Sequence, residues 1–256
     1  SVPALRTRGI SGAAIYGQLE QLLSWAMELA GTDGEKWAEI LEVGRRLPSE
    51  LLLTALHRIA TLVPDLHDEQ QVLWGALRSL LSIYEPAPQD PADSDDGQDG
   101  TIQQLQDRTD SLARSLYEQL TPSDFVAKHA WLFDSHPSFP VRHRSPEEEH
   151  ELLVQAQRRC ITGLATSSDR WALLARLRGR VHDLPQLSRL LAESSWAEEL
   201  EQQLPQLEAC GPDLAVWFLA FRLRSRDFVE GEHWLRRFAA EQRPTDAALL
   251  AQLLTG

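Results

Sequence analysis

The chain has 256 residues, 43 % of them apolar, with eight tryptophans, and this composition excludes a disordered polymer and leaves material for one large or two modest cores. Its formal charge is −13, from 25 basic and 38 acidic side chains, and six of the acids (Glu85, Asp90, Asp93, Asp95, Asp96 and Asp99) fall between Glu85 and Gly100 with no base among them. Long-range repulsion of phosphate disfavours nucleic acid as a partner. No run approaches the ~20 apolar residues of a membrane span, and the opening Ser-Val-Pro-Ala-Leu-Arg-Thr-Arg has no apolar core of a secretory signal.

Helical rhythm dominates the chain. Ile15, Leu19, Leu22, Leu23 and Ala26 recur as one helical face requires, so a helix is predicted over about 11–30, ended by Gly31. Asp33 is a good N-cap for a second helix over about 34–47, closed by Pro48. A third runs from Ser49 to Val63 with Leu52, Leu56 and Ile59 on one stripe, and after Pro64 a fourth reaches Tyr84 through Leu73, Leu77, Leu80 and Leu81. Short connections between four helices imply antiparallel packing, and residues 1–85 read as an N-terminal bundle.

Pro86, Pro88 and Pro91 then stop the pattern. The acidic tract 86–100 has too little apolar surface to offset the entropy of ordering, and reads as a flexible loop or linker. Helicity resumes near Thr101 with Leu105, Leu112, Leu116 and Leu120, opening a helical array over 101–256. Within it, 123–145 is an irregular segment, in which Trp131, Phe133 and Phe139 are the candidate anchors or interaction residues. Ser145-Pro146-Glu147-Glu148 reads as a capping box opening a long helix to about Ala165. Shorter units follow at about 169–179, 185–192, 195–204, 212–226, 231–242 and 245–254, separated by Pro185, Pro205, Gly211-Pro212, Gly231 and Pro244. The unit 212–226 is apolar nearly all round and is expected to lie between other helices. Leu250 and Leu254, with Ala247 and Ala251, form an apolar stripe expected to be covered by a neighbouring unit or a partner. The fold class is therefore all-α, an irregular bundle or α-solenoid-like array of antiparallel helices.

Chemistry is hard to find. Cys160 and Cys210 belong to no ligand cluster, and a reducing, cytoplasmic environment is expected. His129, His136, His143 and His150 recur every seven residues, but Pro137, Pro140 and Pro146 break the helix that would align their rings, so separate histidines are expected and no metal site. Arg144 with His150, and Arg176 with His182, match the loose Arg-to-His spacing of helical ribonucleases of the HEPN class, in which Arg stabilises the phosphate and His moves the proton. That spacing is common, Arg144 precedes the capping box and Gly179 interrupts the second candidate, so a solvated Arg and an ordinary His are expected at both places. Arg222, Arg224 and Arg226 end an apolar helix, where capping its carbonyls or pairing with acids is expected. Nucleotide-binding and common hydrolase motifs are absent, so no catalytic residue and no cofactor are assigned.

Several landmarks fall in a characteristic order: Leu73-Trp74 with Leu77 and Leu80-Leu81, then Leu120-Thr121-Pro122-Ser123-Asp124, His129-Ala130-Trp131-Leu132-Phe133-Asp134, Arg158-Arg159-Cys160 and Trp171-Ala172-Leu173-Leu174. Over about residues 70–250 this order resembles the helical arrays of very large bacterial multidomain proteins, some associated with antiviral defence. The resemblance implies a non-catalytic scaffold or sensor whose enzymatic unit lies elsewhere, and it carries no catalytic residue onto this chain. Its partners would be a protein or neighbouring domains of the same longer chain, with no membrane. The lack of an initiating Met is expected of a segment of a longer protein, and equally of processing at the start of the chain. A helical ribonuclease-like effector, or a structural linker bundle between active domains, are the rival readings.

Overall fold

A computed structural model describes residues 12–44, 46–65, 70–82, 99–135, 137–140 and 145–225. Among them are twelve α-helices and two 3-10 turns, with no strand, so the protein is all-α. The predicted helices beyond 226, with Arg226, Leu250 and Leu254, lie outside the described residues, as does most of the acidic tract.

Contacts divide the chain into two compact units: one holds residues 1–121 and 138–145, the other 122–137 and 146–256. The first therefore extends past the division expected at 86–100. Its helices are α1 (Gly12–Ala30), α2 (Gly34–Gly44), α3 (Ser49–Leu62), α4 (Gln70–Leu81) and α5 (Asp99–Gln119). α5 packs on α3 and α4 and buries Ala113 and Leu116, which is why the helix after the acidic tract belongs with the helices before it. α2 packs broadly on α4, while α1 rests on α2 and α3.

The α1–α2 corner is built from three local interactions. Gly31 ends α1 at φ +52°, a left-handed conformation open to glycine, and its N–H donates to the Met27 carbonyl at 3.2 Å. The Asp33 carboxylate accepts the Lys36 backbone N–H at 3.1 Å, capping α2. Trp37, wholly buried, donates its indole N–H to the Gly31 carbonyl at 3.0 Å. At the other end of α2, a Cβ on Gly44 would stand 3.1 Å from Leu52 Cδ1, so its small size permits close packing on α3. An aromatic stack adds to the core, with the Trp74 and Tyr117 rings 5.3 Å apart and the Arg78 guanidinium 5.2 Å above Trp74. Burial there pushes the Tyr117 phenol up to about 12, so it stays neutral.

The second unit is assembled from α6 (Phe125–His129), α7 (Pro146–Thr166), α8 (Arg170–Arg178), α9 (Leu184–Glu193), α10 (Ala197–Gln202), α11 (Leu204–Cys210) and α12 (Pro212–Arg224), with a 3-10 turn at Ala130–Phe133. Pro205, expected only to end a helix, sits in the first turn of α11, because its missing N–H is no loss there. α12 packs on α9 and α11 and buries Leu214, Ala215, Phe218, Leu219, Ala220 and Leu223, as a helix apolar nearly all round should. Gln157, 3 % exposed, joins three parts of the unit: its amide donates to the Leu132 carbonyl at 2.7 Å and its oxygen accepts from Gln186 Nε2 at 2.9 Å. Asp183 caps α9 through the Gln186 N–H, and its own N–H donates to the Phe133 carbonyl at 2.8 Å.

Ion pairs tie the outer helices. Arg222 reaches Glu201 at 2.5 Å and donates to the Ala192 carbonyl, so it pairs with an acid as expected for the end of α12. Arg170 binds Glu199 at 2.5 Å, and Arg178 binds Asp213 through both carboxylate oxygens. The Arg178 hydrogen bond holds the Asp213 carboxyl below its ordinary range. For Asp124 the Ala127 N–H does most of this, with Arg176 second.

Two tests follow from these contacts. Trp37→Phe keeps an aromatic ring but removes the donor and part of the volume, and should lower stability in urea denaturation by about 1–3 kcal/mol. Carboxylates with depressed folded pKa values stabilise above their unfolded values and lose that contribution as pH falls through the folded ones. Thermal melts should therefore show stability declining below about pH 4, and Asp213→Asn should flatten that decline.

Candidate functional site

α1 is an unusual helix because its apolar side chains exceed what the unit buries. Among its described residues, Leu23 and Ala30 are in the core, whereas Ile15, Leu22, Trp25 and Leu29 are exposed at 47 %, 60 %, 61 % and 56 %. The sequence pattern implied one buried face for Ile15, Leu19, Leu22, Leu23 and Ala26; that face is instead split between the core and an open groove. Leu23, 7 % exposed, lies at the boundary between the two. Leu19, Leu22, Trp25, Ala26 and Leu29 line a groove of about 430 Å³ with Ile40, Val43 and Leu47 on the α2 side. Val43 is 62 % exposed. Lys36 and Glu39 stand at the α2 rim, and Lys36 is paired with Asp33 at 2.8 Å.

The groove is shaped by the corner that closes it. Gly31, Asp33 and Trp37 hold the turn between α1 and α2, and Leu22, Trp25, Leu29 and Val43 stay exposed beside it. Nothing in the lining has the chemistry of a reaction centre. Its character is that of a surface that takes up apolar side chains.

The residues singled out from sequence are scattered by comparison. Phe133 is fully buried in the second unit, whereas Trp131, expected to be as deeply placed, is half-buried and donates its indole N–H to the Lys128 carbonyl at 2.9 Å. The difference arises because residues 125–133 are helical and turn Leu132 inward with Phe133. Phe139 is half-buried and belongs to the stretch assigned to the first unit. Leu250 and Leu254 lie outside the described residues.

His129 is half-buried and donates from Nδ1 to the Phe125 carbonyl at 2.8 Å, with the two rings 4.5 Å apart. Burial is the main cause of its lowered pKa, so the ring is neutral near pH 7. His150 is exposed on α7, while His136, His143 and Arg144 lie outside the described residues. No group of three His, Cys, Asp or Glu side chains placed to hold a metal occurs among the described residues. Arg176 is engaged by Asp124 at 2.6 Å, and His182 is exposed in the turn before α9. Burial pushes the Cys160 thiol up to about 12, which leaves it inert as a nucleophile.

No family model, no curated protein and no solved structure matches the chain. No described helix is long and apolar enough to cross a membrane.

The groove could have been found from sequence by one signal. Ile15, Leu22 and Leu29 are seven residues apart, with Trp25 three after Leu22, so α1 carries a second, coiled-coil-like stripe beside its inward one. The anchors are tested by truncation: Phe133→Ala should cost about 3–5 kcal/mol in urea denaturation, and Trp131→Ala clearly less, because that ring is only partly buried.

Proposed function

We propose that this chain is a non-catalytic helical scaffold whose first unit binds a protein helix in the groove between α1 and α2. The exposed apolar lining of Leu22, Trp25, Leu29 and Val43 carries the reading, since monomeric proteins seldom leave a contiguous apolar surface of this extent facing water. A concave seam between two helices, apolar along its floor and polar at one rim, is the shape that takes an amphipathic helix.

The resemblance to the helical arrays of large bacterial proteins belongs to this proposal. It rests on the sequence landmarks alone, and a role in sensing or holding a partner within a defence assembly is what it would mean here. The effector or NTPase unit would then lie in a neighbouring domain.

Photo-crosslinking tests the binding reading. A benzoylphenylalanine placed at Val43, in the groove, should form a discrete protein adduct in cells that express the chain, and one placed at exposed Glu42, beyond the lining, should form far less. Equal labelling at both positions, or no protein adduct at Val43, would overturn the reading.

A further inference from the structure

We infer that the occupant of the α1–α2 groove is a second copy of the same groove, so that two chains pair through α1 and α2 into a four-helix bundle. The inference rests on the protein-binding reading of this surface and names its partner.

Four features of the surface carry it. The first is that groove and ridge are the same patch. A two-fold interface needs one surface that complements itself, and here α1 supplies both a wall of the groove and an amphipathic stripe able to fill one. The second is spacing. Ile15, Leu22 and Leu29 recur at seven residues, with Trp25 at the intervening position, as in a helix that packs along another helix. An antiparallel pairing with Leu22 near the two-fold axis sets Ile15 of one copy close to Leu29 of the other, so the stripe meets apolar side chains along its length.

The third feature is charge. Gln18 takes the intervening position of the stripe between Ile15 and Leu22, and Gln21 flanks it; both are uncharged and exposed. Of the α1 acids, Glu20 is two residues from Leu22 and therefore on the far side of the helix, while Glu28, seven residues after Gln21, shares that residue's flank and lines a hollow with Thr54, His57 and Arg58; in an antiparallel pairing about Leu22 it falls opposite Tyr16 of the other copy, not opposite an acid. Two copies of α1 can meet with no like charges opposed in the seam. The ionised residues that line the groove, Lys36 and Glu39, stand on the α2 side alone, and one is basic and the other acidic.

The fourth is area. Ile15, Leu22, Trp25, Leu29 and Val43, each about half exposed or more, present on the order of 500 Å² of apolar side chain. Leu19, Ala26, Ile40 and Leu47, which also line the groove, bring the patch toward the ~800 Å² per partner of a stable protein interface.

Sedimentation velocity over a hundredfold range of concentration reads the proposal directly. The parent chain should shift from monomer to dimer mass, and Leu22→Glu, which sets two carboxylates together near the axis, should weaken the association at least tenfold. Because Leu22 is 60 % exposed within one chain, its variant should keep the parent circular dichroism and, at concentrations where both are monomeric, the parent melting temperature. A second measurement does not depend on that variant: Leu22→Cys should form an intermolecular disulfide under mild oxidation, far faster than the parent chain or Ser24→Cys. A strictly monomeric parent, or disulfide formation no faster than in the controls, overturns the pairing. The crosslinker at Val43 separates this from failure of the binding reading. An adduct of twice the chain mass supports both, an adduct with a different protein overturns the pairing and keeps the binding site, and the absence of any protein adduct overturns both.

Discussion

Everything distinctive about the first unit depends on the buried Trp37 indole and the Gly31 carbonyl that accepts its N–H at 3.0 Å. The carbonyl belongs to the residue that ends α1, and the indole belongs to the first turn of α2, so one hydrogen bond fixes the angle between the two helices. The bond needs the φ of +52° at Gly31, because that conformation turns the chain back while closing the last turn on Met27. A residue with a Cβ would be strained there. Once the corner is set, α1 is held by its inward residues and by Tyr16, whose hydroxyl donates to Glu50 at 2.7 Å, and its outer stripe is left without cover. The groove is thus a consequence of a turn.

The second unit solves a different problem with polar groups. Short helices expose many unpaired N–H groups and carbonyls at their ends, and burying those ends is costly unless each finds a partner. Asp124 and Asp183 each cap a helix, while Gln157 crosses from α7 to the carbonyl of Leu132 and to Gln186 on α9. Ser188, fully buried, returns its hydroxyl to the Leu184 carbonyl within α9. Prolines at the starts of α9, α11 and α12 reduce the number of donors that need such partners. The unit can therefore be cut into many short helices and still bury Phe133, Leu187 and Phe218 completely.

Helix positions were legible because glycine, proline and capping acids punctuate the chain: Gly31, Asp33, Pro48, Pro146 and Pro212 each fall within a residue or two of an observed helix end, whereas α6 fell inside the segment read as irregular. Pro205 misled because the same residue type ends one helix and opens the next, and sequence alone does not show that only one residue separates α10 from α11. Trp131 misled for another reason. A large aromatic beside a buried one reads as a second anchor, but the 3-10 turn gives the inward places to Leu132 and Phe133. The groove was hidden by the breadth of the apolar stripe on α1, since a stripe too wide for one contact looks the same as a well-buried one until the neighbouring helices are placed. Grouping α5 with the helices before the acidic tract likewise needed its packing partners, which periodicity does not supply.

The energetics of the exposed stripe explain why a partner matters to this fold. Covering the stripe takes its apolar side chains out of water, which is the driving term for association. Association costs translational and rotational freedom, with further losses for ordering side chains such as Trp25, so the area covered does not convert directly into affinity. Occupation of the groove follows the local concentration of its partner. The same balance applies within the chain. α1 contributes Leu23 and Ala30 to the core, and a helix with so few buried side chains is among the elements most easily opened. A partner that binds the formed groove adds its free energy to that of α1 docking on α2 and α3, so binding and the ordering of this helix reinforce one another. The surplus of apolar residues on α1 therefore serves both purposes, with one face holding the helix to its own unit and the other available to stabilise it further when the groove is filled.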